Sequence, residues 1–191
     1  NKIESNVIDD IKGWSKEVLE IPNPHLSGLK ACPYAEKAWK DNKVDVLTGE
    51  NIDDLKSAIC SFNPAKKDMI IWTTFNLKSY DVWDRWVTKW NKKNAVKDLH
   101  LMLFHPDYPP EKGNEDYLLD NDWQSSVDDY VMVFIQSLKA LNKASVALEG
   151  VGYYRKFPTH IFETLVLERR RLENGYGKEK RYEAWWQEKT C

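Results

Sequence analysis

Apolar residues in the first half of the chain follow two periods, one near 3.6 residues and one of 2, and the two take turns. In Ser5–Glu20, Val7, Ile8, Ile11, Trp14, Val18 and Leu19 share one stripe, which predicts an amphipathic helix with Ser5 as its cap. Pro22 and Pro24 break both periods, so Ile21–Gly28 is a loop. A short helix is expected from Cys32–Pro33 to Asn42, because proline suits the first helical position and leaves Cys32 at or near the N-cap. Lys43–Leu47 alternates as a strand. Asn51 then caps a helix carrying Ile52, Leu55, Ile59, Cys60 and Phe62 on its apolar side. Asp68–Phe75 is rich in β-branched and aromatic residues and predicts a second strand. Ser79 is expected to cap a helix whose stripe is Tyr80, Val82, Trp83, Trp86, Val87 and Trp90, and Asp98–Phe104 is a third strand.

The next segment fits both periods. Val127, Tyr130, Val131, Phe134, Ile135, Leu138 and Leu141 suit a buried helix starting at Ser125 or Ser126, yet Tyr130–Ile135 is also an unbroken β-type run. Continuation of the 3.6 period to Leu141 favours the helix, and Ser145–Gly150 would then add a strand. A final helix runs from Thr159 to about Glu173, before the Asn174–Gly177 break and a charged, Trp-bearing end. The pattern predicts one α+β domain with a mixed or antiparallel sheet of three to five strands, helices packed on it, and a ferredoxin-like sandwich as the favoured form. Within it, residues 1–42 form a helical N-terminal part, 43–150 the sheet-bearing core and 151–191 a helical C-terminal extension.

The 191 residues give room for a real core, and 42% hydrophobic with 30% charged residues is ordinary for a globular protein. A net charge of −2 makes nucleic acid an unexpected partner, and no apolar stretch approaches a membrane span. The polar, acidic N-terminus is unlike a signal peptide, and three cysteines without a CxxC pair suggest neither a disulfide framework nor a zinc site. The expectation is a small cytoplasmic protein with reduced thiols. Nine tryptophans and nine tyrosines call for a ring-built core, an aromatic cleft or a partner surface.

Candidate chemistry concentrates in Leu99–Glu111, LHLMLFHPDYPPE, where an apolar strand ends in His105, Asp107 and Tyr108 between prolines. These three are candidate catalytic residues, His105 as acid/base or ligand, Asp107 as its partner and Tyr108 as a donor. Carboxylates crowd the loop that follows. His105, Asp107 and Asp116 are the candidate ligands for a divalent metal such as Mn²⁺ or Fe²⁺. Asp120-Asn121-Asp122 begins like a calcium loop, but Gln124 and Ser125 break the pattern. Cys32 is the distant candidate, since a helix start favours thiolate. The basic cluster Arg169–Arg171 is balanced by nearby glutamates and reads as a solvated face. Nucleophile-elbow, P-loop and dinucleotide motifs are absent.

CPYAEKAW (Cys32–Trp39) and FHPDY (Phe104–Tyr108) resemble the marker segments of a bacterial family catalogued as domain of unknown function fourteen-fifteen. Order and spacing are similar, Phe157-Pro158 also fits, and the likeness spans about Ile11 to Trp186. It implies that Cys32, His105 and Tyr108 are marker positions, and it favours a strand at Tyr130–Gln136; no activity comes with it. The family's Asn-Arg-Ser-Pro-Tyr-Pro stretch, which leads into a strand with His and Arg, is replaced here by QSSVDDYVMVFIQ. Two functions are therefore expected alternatives: an enzyme with a His/Asp/Tyr site at a strand end and a nearby cysteine, acting on a small molecule, or a non-catalytic protein-interaction module using its aromatic-rich helices.

Overall fold

The computed structural model describes residues 2–107 and 130–175. Four strands, β1 (Val44–Thr48), β2 (Met69–Thr74), β3 (Leu99–Phe104) and β4 (Val131–Ser137), form one mixed sheet in the order β1-β2-β4-β3. β1 and β2 are parallel, while β4 runs antiparallel to both β2 and β3. The C-terminal ends of β1, β2 and β3 and the start of β4 therefore share one edge. The helices are α1 (Lys2–Trp14), α2 (Ala35–Lys40), α3 (Ile52–Ser61), α4 (Tyr80–Asn94), α5 (Leu138–Gly150), α6 (Thr159–Phe162) and α7 (Glu168–Asn174). None among the described residues is long and apolar enough to cross a membrane.

The α+β class and the mixed sheet stand as expected. The finer expectation of a ferredoxin-like sandwich does not, because both faces of the sheet are covered. Alternate residues of β2 and β4 divide between two cores. Ile70, Trp72, Val131, Val133 and Ile135 pack with Leu55 and Ile59 of α3 and Trp83 and Val87 of α4. On the other face, Ile71, Met132 and Phe134 pack with Val7, Ile11 and Trp14 of α1 and Ala38 of α2. Tryptophan and phenylalanine rings meet edge-on there, Trp14 lying 5.7 Å from Phe104 and 6.1 Å from Phe134.

Double coverage also explains the misread segment. The expected helix at 125–141 is instead strand β4 from Val131, followed by helix α5, and the expected strand at Ser145–Gly150 lies inside α5. A central strand buried on both faces loses the alternation that marks a half-buried one and reads as a continuous apolar run. Ser137 ends the strand and caps the helix, its hydroxyl accepting from the Ala140 N–H at 3.1 Å.

Four local expectations also change. The first helix begins at Lys2, so Ser5 lies inside it and is not its cap, and its last turn widens into a π-helix at Ser15–Leu19. The second helix starts at Ala35 with Tyr34 at its cap position, leaving Cys32 in the preceding turn. Cys60, expected on the buried stripe of α3 as an unpaired thiol, is exposed and disulfide-bonded. Ser79 stands at the N-cap position of α4, but its side chain makes no cap hydrogen bond. Asn51, by contrast, caps α3 as expected. Its side chain accepts from the N–H groups of Asp53 and Asp54, and Asp54 accepts in return from Asn51.

Candidate functional site

The C-terminal edge of the sheet gathers the Gly49–Asn51 turn, the Thr74–Lys78 loop, His105 and Tyr130. His105 leaves β3 where proline ends the strand, and its side chain is 1% exposed. Its Nε2–H donates to the Lys78 carbonyl at 2.7 Å, and its Nδ1 accepts from the Asp107 N–H at 3.0 Å. An Nδ1 that accepts from an amide carries no proton, so the ring is the neutral Nε2–H tautomer. Tyr80 packs edge-on against it at 6.0 Å. With both nitrogens engaged by backbone, this imidazole ties the end of β3 to the start of α4. It offers no free nitrogen to a metal or a proton in transit. Asp107 contributes that backbone N–H and is itself exposed. Tyr108 and Asp116 lie outside the described residues, and among the described residues no three His, Cys, Asp or Glu side chains gather in a metal-holding group.

Cys32 is half-buried with a free thiol. Its N–H donates to the Leu19 carbonyl at 2.9 Å, which fixes the turn against the end of the first helix. Burial pushes the thiol pKa above its ordinary value; N–H groups of Tyr34 and Ala35 pull it back, and the Glu20 charge adds to the rise. The helix-start argument for a ready thiolate is thus outweighed by desolvation. Cys32 also sits with α1 and α2 on one side of the sheet, whereas His105 bonds to the start of α4 on the other. No contact joins the two among the described residues.

Beside His105's loop the same edge opens into a cleft of about 440 Å³ lined by Gly49, Glu50, Asn51, Thr74, Phe75 and Asn76. Glycine is required at 49, where a Cβ would come within 2.6 Å of the Asp54 Cβ and 2.7 Å of the Trp72 Nε1. Asn76 closes the cleft floor, its Nδ2 donating to the Glu50 carbonyl at 3.0 Å and its backbone N–H to the Thr74 hydroxyl at 3.1 Å. Phe75, in the lining, is 54% exposed, and Leu77, two residues on in the same loop, is 50% exposed. The Phe75 ring rests edge-on against buried Tyr130 at 5.3 Å. Phe75 closes the expected strand Asp68–Phe75 and Leu77 lies just beyond it, so neither carries a signal of its own in the sequence.

Compared with known proteins, the chain matches no family model, no curated protein and no solved structure.

Proposed function

We propose that this chain is a non-catalytic interaction module that docks a short segment of a partner protein at the C-terminal edge of its sheet. The observation that carries this reading is Phe75, an exposed ring held in place by a buried one at the mouth of a cleft. An aromatic anchor that is ordered before binding loses little side-chain freedom on association, and such residues dominate interface energetics. Leu77 widens the apolar contact. Glu50 on the rim makes no ion pair among the described residues, so the partner segment is expected to carry an apolar side chain next to a basic one. The engagement of both His105 nitrogens and the raised Cys32 thiol weigh against the alternative enzyme reading. The docking surface also shifts from that expected: the Trp-rich helix turns Trp83 into the core with Trp86 and Trp90 packed beside it.

A random-peptide display selection against the intact protein tests this. Enriched peptides should pair an apolar with a basic residue and lose binding about tenfold or more when Phe75→Ala or Glu50→Gln replaces the wild type. Enrichment indifferent to both substitutions, or no enrichment, overturns the reading.

A further inference from the structure

The outward face of α4 carries a run of exposed cations. Its inward face buries Trp83, Val87, Asn91 and Asn94. Asn91 also fixes the rotation of the helix, its Nδ2 donating to the Leu101 carbonyl at 2.9 Å and its Oδ1 accepting from the Leu101 N–H at 2.8 Å. Arg85, Thr88, Lys89, Lys92 and Lys93 are thereby turned outward and exposed. From Arg85 to Lys97 the sequence holds five cations and no carboxylate. Several cations on other helices do have carboxylate partners: Lys37 with Asp41, Lys40 with Glu36, Lys56 with Asp53, Arg170 with Glu149 and Arg171 with Glu168. Lys89, Lys92 and Lys93 pair with no carboxylate among the described residues. Asp84, at the N-terminal rim, already accepts from the Tyr80 hydroxyl at 3.2 Å.

A helix C-terminus favours cations, which accounts for Lys92 and Lys93 but not for Arg85 and Lys89 further back. Arg85, Lys89 and Lys93 recur every four residues, about 6 Å apart along the axis, with Lys92 next to Lys93. They border a shallow cleft of about 450 Å³. A row of cations along one helix suits a linear polyanion better than a flat anionic surface. Single-stranded nucleic acid also wants aromatic platforms, and here the tryptophans of the helix face inward. Cations on such a face gain most of their affinity from phosphates, and phosphate contacts carry no sequence information.

We infer that the outward face of α4, through Arg85, Lys89, Lys92 and Lys93, binds the phosphate backbone of duplex nucleic acid without sequence preference. This surface is separate from the Phe75 cleft, so the two readings stand or fall independently.

Fluorescence anisotropy of the intact protein with a labelled duplex of about 20 base pairs tests it, between about 50 and 200 mM salt. Affinity should fall with salt on a log–log slope of about −3 to −4, as expected for release of counterions from about four phosphates. The triple variant Lys89→Glu, Lys92→Glu, Lys93→Glu should lose about tenfold or more, with its circular-dichroism melt unchanged. A charge-matched control, Lys37→Glu, Lys40→Glu, Lys56→Glu, should stay within about twofold of wild type. If the triple variant does not fold, the single Lys89→Glu is read instead, with a loss of about threefold expected. No duplex binding at the lower salt, equal losses in the two triple variants, or tighter binding of a single strand or of heparin overturns the inference.

Discussion

His105 shows how one residue type carries two meanings. An imidazole held by prolines at a strand end suits general acid/base work, and it suits equally well a buried link between two backbone segments. What decides is the company of its nitrogens, here the Lys78 carbonyl and the Asp107 N–H. His105→Ala should leave both groups without partners in a buried place and destabilise the fold by about 2–4 kcal/mol, read from the urea midpoint at an unchanged slope. A negligible shift would show that the link is unimportant. Cys32 tells a similar story: its position before a helix was legible, its burial was not. Alkylation of its thiol should be slower than that of a small free thiol at neutral pH and should climb only above the ordinary thiol range. A half-maximal rate at or below neutral pH would contradict the burial argument.

Among the elements, the strongly periodic ones were read nearly to the residue. β1, β2, β3, α3 and α4 each begin or end within a residue or two of the expected place: α3 and α4 have one wet and one dry face, while β2 and β3, which lie between the two cores, are short apolar runs bounded by polar or turn residues. β4 and α5 escape the local pattern because β4 ends at Ser137 and α5 starts at Leu138, with no turn residue between them to divide the apolar run. β3 adds a further point. It lies at the end of the sheet, and an edge strand exposes unpaired backbone groups. At Leu101 those groups are satisfied by Asn91, reaching down from α4. Asn91→Ala should therefore cost about 2–4 kcal/mol, far more than an exposed substitution on the same helix such as Thr88→Ala, in paired denaturation curves. Equal small effects at both positions would remove the clamp from the account.

Across the whole molecule, charge and burial are distributed in ways a net value hides. A formal charge of −2 argues against polyanion partners, yet five cations fall between Arg85 and Lys97 with no carboxylate among them, interleaved with the apolar stripe of the same helix. His100, on β3, shares a face with Met102 and Phe104, and its Nδ1 is sealed without a partner. Burial and the neighbouring Arg169 charge push its pKa down to about 3. The unfolded chain, with an ordinary imidazole, binds a proton that the folded one refuses between those two values. The stability due to a neutral His100 is thus fully present above about pH 6.5 and lost as pH falls toward 3, on the order of a few kcal/mol after allowing for partial exposure. Wild type should lose unfolding free energy relative to His100→Gln as pH falls from about 6.5 toward 3, and parallel curves would refute it. The sequence by itself determined the class of fold, most element boundaries and the cap of α3, since these depend on local periodicity and on side chains bonding within a few residues. Only the tertiary structure decided that β4 is a strand, that His105 is a tie and that Phe75 stands at a cleft. Each of those depends on which distant backbone or ring comes to lie beside the residue, and no local pattern encodes that.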